Sequence, residues 1–171
     1  KNVINESSIF SITIPSNNIE YKYITIDLII KPSNNNYSYY LDISGRDEYF
    51  NKIPNYNQTS LIGIINQNFK WDHLCICYNN VNNFQNNYGI IKTYLNKDTI
   101  TEIDSNLRLD LKKNSKIYLG LNSSKNKKFT GFISGIQLFN EYIDQVVVDR
   151  TFDDLENCYH PDTKILTKNG Y

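Results

Sequence analysis

Apolar and polar residues alternate with a period of two along most of this chain, and that excludes helical folds before any motif is considered. In SIFSITIP (8–15), Ile9, Ser11 and Thr13 oppose Phe10, Ile12 and Ile14. In YKYITIDLIIKP (21–32), Tyr21, Tyr23, Thr25 and Asp27 oppose Lys22, Ile24, Ile26 and Leu28, and Pro32 is expected to end the strand. YSYYLDIS follows, with Gly45 read as a turn. TSLIGII (59–65) and DHLCICYN (72–79) predict two strands around a polar turn. GIIKTYLNKDTITEI (89–103) predicts two more, joined across Asn96, Lys97 and Asp98. KIYLGL (116–121) and FTGFISGIQLFN (129–140) complete the series. Many short strands at regular spacing predict an all-β sandwich or barrel. The segment 141–157, EYIDQVVVDRTFDDLEN, is expected to be a short helix or coil, with Tyr142, Val146 and Val147 as its apolar positions.

The length, 171 residues, suits one ordinary domain with a real core plus a short appendage. The 18 basic and 18 acidic side chains balance and form no basic stripe, so nucleic acid is not an indicated partner. No apolar run approaches the ~18 residues of a membrane span. Asn, Ile, Lys and Tyr are abundant while Ala and Met are absent, the bias of A/T-rich codons. The Asn runs at 34–36 and 82–83 read as loop filler. Sequons at Asn5, Asn36, Asn57 and Asn122 are of the number chance supplies in such a composition. The chain begins at Lys1, so a leader would lie upstream of it.

Cys75 and Cys77 are two apart in a strand, so both point to one face, as small core residues rather than a disulfide or a metal half-site. His73 reads as a satisfied strand histidine rather than a metal ligand or a catalyst. Trp71 reads as core or edge-of-core packing.

Several of these strands resemble the laminin-G-like, or concanavalin-A-like, jelly roll. Trp71 and His73 match its W-x-H strand, and Tyr94, Leu95 and Asn96 its following hairpin. Phe129, Gly131, Ile133, Ile136, Leu138, Phe139 and Asn140 match its terminal strand. Leu28 stands where that family often has Trp, and Lys97 where it often has Gly. The resemblance covers residues 1–150 and implies an antiparallel two-sheet sandwich. It places Phe129, Phe132, Ile133, Ile136, Leu138 and Phe139 between the sheets. It further implies binding of carbohydrate or protein ligands, with calcium possible in some members. The carboxylate cluster of the family's glycan hydrolases is missing, which disfavours an enzyme. Asp47 with Glu48, Asp153 with Asp154 and Glu156, and Glu102 with Asp104 read as solvated charges. No loop has the acidic spacing of a dedicated calcium site, and no other cofactor is indicated.

The end of the chain, CYHPDTKILTKNGY (158–171), resembles the first block of a Hint domain, the self-processing module of inteins and hedgehog C-terminal domains. Cys158, Asp162, Thr163, Ile165, Leu166 and Gly170 carry the resemblance, with residues 151–157 as the linker before it. It implies that the Cys158 thiol attacks the carbonyl of Asn157, turning the amide into a thioester that a second nucleophile cleaves. His160 lies too close to Cys158 to be assigned the acid's role, and the block that supplies it would follow Tyr171.

These readings converge on a non-catalytic binding or structural module, extracellular, on a cell surface or on a virion, joined to an autoprocessing segment. The alternative is a jelly-roll building block of a capsid or fibre, for which Tyr37, Tyr39 and Tyr40 are the expected exposed interface and an oligomer the expected state.

Overall fold

The computed structural model describes residues 6–33, 36–65, 72–80, 89–105, 109, 114–139 and 143–158. Four strands form a meander: β1 (Ser7–Pro15), β2 (Tyr23–Ser33), β3 (Asn36–Arg46) and β4 (Lys52–Ile64). A second meander follows: β5 (Leu74–Asn80), β6 (Gly89–Leu95) and β7 (Asp98–Ser105). The short strand β8 (Lys116–Leu119) returns to the first sheet beside β1. The result is a five-stranded sheet, β4-β3-β2-β1-β8, and a three-stranded sheet, β5-β6-β7, with antiparallel neighbours throughout. The fold is the all-β antiparallel sandwich that the alternation predicts.

Register turns the period of two into a core. Ile24, Ile26, Leu28 and Ile30 lie on one face of β2, directly opposite Gly45, Ile43, Leu41 and Tyr39 of β3. Ile91 and Leu95 of β6 close over them from the second sheet. Each fully buried Ile or Leu contributes about 1.5–3 kcal/mol. The outer face of the small sheet carries a second cluster. Cys77 and Tyr94 pack there with Ile143 and with Val148 of the helix α1 (Gln145–Cys158). Asp144 caps that helix, its carboxylate accepting the N–H of Val147 at 3.0 Å.

Several expectations are corrected. β2 does not stop at Pro32 but runs through it to Ser33. The ladder with β1 ends at Ile30, so among the described residues the proline has a strand neighbour only on the β3 side and removes no shared hydrogen bond. Gly45 is not a turn but lies inside β3, where a Cβ would stand 2.9 Å from that of Tyr56 and 3.2 Å from that of Tyr21. The hairpin between β6 and β7 is a two-residue loop, with Asn96 at φ 52° and Lys97 at φ 76°. That is the backbone a tight hairpin with right-handed strand twist demands, reached here without glycine.

Of the short helix or coil expected over 141–157, the helix is what forms: residues 145–158 make a 14-residue helix that includes the stretch 151–157 read as a linker. Of the apolar positions expected, Val147 packs against the second cluster, Val146 is exposed and Tyr142 lies outside the described residues; the buried one is Val148. The largest departure is the segment 129–140. Phe129 touches the core, but residues 130–139 form no strand, and Phe132, Ile133, Ile136, Leu138 and Phe139 are exposed instead of lying between the sheets. An alternating pattern is buried only when a ladder holds it in register, and here the rungs stop at Phe129. The expected tyrosine interface is also absent: Tyr39 is buried, and Tyr37 and Tyr40 are half-buried.

Candidate functional site

The outer face of the five-stranded sheet is polar and, at its centre, buried. The residues that β2 does not send into the core are Tyr23, Thr25, Asp27 and Ile29. Register sets polar residues of the other strands beside them. One row runs Tyr118, Ser11, Asp27, Asp42, Thr59 across all five strands, and the next runs Lys116, Thr13, Thr25, Ser44, Asn57. Ser11, Thr13, Thr25, Asp27, Asp42, Ser44 and Arg46 are all buried, while Lys52, Asn57 and Thr59 form an exposed rim on the edge strand β4.

Arg46 is the hub. Its Nε donates to Thr25 Oγ1 at 3.0 Å, its Nη1 to the carbonyl of Phe50 at 3.0 Å, and its Nη2 lies 3.6 Å from Asp27 Oδ2. The hydroxyls of Thr25 and Ser44 are 2.9 Å apart. Asp42 is held by Lys52 Nζ at 2.5 Å and by the hydroxyl of Thr59 at 2.7 Å. Two carboxylates thus oppose each other across β2 and β3, and two cations neutralise them. Burial pushes the Asp27 carboxyl up from its ordinary value, and the neighbouring Asp42 charge adds to this; a hydrogen bond from Ser11 and the charges of Arg46 and Lys52 oppose it.

The turn between β3 and β4 is built to serve this hub. Asp47 accepts the backbone N–H groups of Tyr49 and Asn51 at 2.9 and 2.8 Å and the Asn51 side-chain amide at 2.9 Å, which holds its carboxyl below the usual range. Phe50 adopts φ 65°, a left-handed conformation uncommon for a bulky residue. That geometry aims its carbonyl at Arg46 and stacks its ring on Tyr23 at 4.6 Å. At the other side of the face, Ser123 donates its N–H to Ser11 Oγ at 3.2 Å. Three buried oxygens, Thr13 Oγ1, Asp27 Oδ1 and Ser123 Oγ, have no hydrogen-bond partner among the described residues. Buried unsatisfied polar groups of this kind match enclosed water or a bound polar group.

Sequence reasoning passed over this site. It placed Thr25 and Asp27 on one face but did not connect them to Asp42 and Arg46, because the partners lie on another strand and only register joins them. The signal available was a run of Thr, Asp and Ser on one parity of two consecutive strands, where a solvent-facing surface would carry longer charged side chains.

The residues singled out earlier are scattered. Cys75 and Cys77 do share a face, with their sulfurs 3.6 Å apart against the helix. The contact between them, with burial, raises the Cys75 thiol's pKa, and the hydrogen bond from Cys75 lowers that of Cys77. His73 Nδ1 is buried without a partner among the described residues, so this histidine is not the satisfied one expected. Its ring meets Phe152 edge-on at 5.5 Å, and burial lowers its pKa. Asn157 and Cys158 are the last two residues of α1. Trp71, His160, Asp162 and Thr163 lie outside the described residues. Of the charges read as solvated, Glu102 pairs with Lys92 at 3.2 Å and Asp153 with Lys97. Asn122 of the fourth sequon is buried and engaged in a turn. Among the described residues, no group of three or more His, Cys, Asp or Glu side chains could hold a metal ion. No described helix is long and apolar enough to cross a membrane.

A scan against protein-family models finds no match, and a search of curated proteins finds no significant relative. Among solved structures, the chain is similar to residues 221–444 of an S-layer domain-containing protein from Clostridium thermocellum ATCC 27405. The identity is 12% and the TM-score 0.31, over 89% of this chain and 65% of that one. This chain therefore spans less than two thirds of that neighbour.

Proposed function

We infer that the sandwich is a non-catalytic surface module whose ligand, a carbohydrate or a polar protein segment, meets the outer face of the five-stranded sheet along β4. The observation that carries this reading is the buried network of Asp27, Asp42 and Arg46 beneath the exposed rim of Lys52, Asn57 and Thr59. A buried polar network costs stability unless every member is satisfied, and it holds its rim groups in fixed positions. Fixed donors and acceptors beside aromatic rings suit a polyhydroxylated ligand. Tyr40, with Lys31 Nζ 5.4 Å above its ring, and the Tyr23–Phe50 stack supply those rings. Both carboxylates are engaged by cations, which supports binding over acid–base chemistry. The test is a glycan array, with and without calcium, comparing the native chain with Asn57→Ala and Thr59→Ala. Binding lost in the rim variants supports the reading. Binding unchanged in both variants, or no glycan bound, removes the carbohydrate arm.

The same proposal assigns residues 158–171 to an autoprocessing segment that cleaves between Asn157 and Cys158 in a longer protein. The block CYHPDT supports it by spacing. The position of the bond adds to this: the Asn157 carbonyl is among the last four of α1, which have no intrahelical donor. Intact mass of a chain continuing past Tyr171 tests it. A fragment ending at Asn157 that appears with Cys158 and vanishes in Cys158→Ala is the expected result; full-length mass in both removes the assignment.

A further inference from the structure

β8 has β1 on one side and no described strand on the other. Gly120 donates its N–H to Ile9 at 2.7 Å, and Ser11 stands opposite Tyr118. Backbone groups alternate sides along an antiparallel ladder, so those of Tyr118 meet β1 while those of Ile117 and Leu119 point to the open edge. Both side chains are also exposed, at 43% and 49%.

After β8 the chain turns back on itself. Asn122 Oδ1 accepts the N–H groups of Asn126 and Lys127 at 2.9 and 3.0 Å, and Lys125, at φ 58°, donates to the Asn122 carbonyl at 2.9 Å. Leu121 then bridges Lys128, and Phe129 donates to the Gly120 carbonyl at 2.8 Å. The turn and first rungs of a hairpin are therefore made, and the ladder stops there. Beyond it run residues 130–139, whose pattern is that of a strand and whose apolar side chains stand in solvent, Phe132 at 88% exposure.

We propose that residues 130–134 are a strap that closes onto the free edge of β8 in the same molecule, extending the large sheet by one strand. Gly120, at φ 73° with nothing within 4 Å of where a Cβ would stand, accommodates the one-residue bulge that brings the returning strand into step with Ile117 and Leu119. The occupant is the chain's own segment because the turn is already formed. A tether this short gives the strap an effective concentration that a second copy cannot match. Closure covers a strand edge that would otherwise template pairing between molecules, and it brings Phe132 and Ile133 against the end of the sheet.

Hydrogen exchange on the whole chain tests this independently of any ligand. The expected result is that the amides of Ile117, Leu119 and residues 130–134 exchange at least about tenfold more slowly than in an unstructured peptide, and equally at about 1 and about 100 µM protein. Protection confined to the higher concentration places a second copy on the edge and overturns the proposal, as does free exchange at both. Ile117→Pro removes one N–H on the open side and leaves the bonds of Tyr118 to β1. Its expected effect is about a tenfold loss of protection in 130–134 with β2 amides unchanged. Protection of 130–134 that survives this variant while β2 stays folded also overturns the strap.

Discussion

The outer faces of the two sheets were built from the same alternating pattern and ended in opposite states. On the small sheet, Cys77 and Tyr94 are roofed by Val148 of α1 and by Ile143 just before it. On the large sheet, Asp27, Asp42 and Arg46 are buried beneath their own neighbours, with Lys52 and Thr59 at the rim. One face is covered by an added element and held by apolar contact. The other is flanked by the Phe50 turn and by Ser123 and held by charge and hydrogen bonds. Apolar cover costs little if loosened by one group, because the remaining contacts persist. A buried charge network fails sharply when one member leaves, because the partner is left without compensation.

Arg46→Leu breaks that comparison most severely. It strands Asp27 and removes the Nε donor to Thr25 Oγ1, and urea unfolding is expected to show a loss of about 3–5 kcal/mol. Val148→Ala, the matching deletion on the apolar face, is expected to cost about 2 kcal/mol by the same measurement. If the two losses were equal, the contrast between the faces would disappear. Asp144→Ala removes the helix cap and is expected to cost about 1 kcal/mol, read from the thermal midpoint.

The smallest effect separates the faces by pH. His73 lies beside the helix, at Phe152, with its folded pKa below the unfolded value of 6.5. The unfolded chain binds the proton more tightly, so stability is full above that value and is lost as pH falls below it. Asp27 runs the other way. Its folded pKa lies above the ordinary 3.8, so the folded chain binds the proton more tightly. Its contribution is present below 3.8 and is lost as pH rises through the folded pKa. Stability measured from pH 3 to 8, at about one-unit steps, is expected to lose its near-neutral slope in His73→Gln and its acidic slope in Asp27→Asn. A near-neutral slope that survives His73→Gln would assign it to another group.

Much of the fold was legible because alternation is a local property. β1, β5, β6, β7 and β8 lie where their patterns placed them, and so does the pairing of Cys75 with Cys77 on one face. Pro32 and Gly45 misled because each is a breaker in isolation and harmless in place. One sits where its strand has a single described neighbour, the other where only a hydrogen fits against Tyr56. The sequence left helix and coil open for 141–157 because QVVV carries β-branched residues that favour strands, while the helix is held by the Asp144 cap and the apolar surface of the small sheet. The candidate site was not legible, since its members come from four strands and their charges are ordinary taken one at a time.

By itself the sequence determined the class of fold and which side chains share a face, because both follow from the period of two and need no partner. The tertiary structure alone decided which face is core, which is polar and buried, and which strand edge has no described neighbour. Those outcomes depend on register and on neighbours far along the chain. Asp27 becomes a buried carboxylate only when Asp42 and Arg46 arrive beside it, and residues 130–139 carry a strand's pattern but form no strand, because the rungs beside β8 stop at Phe129.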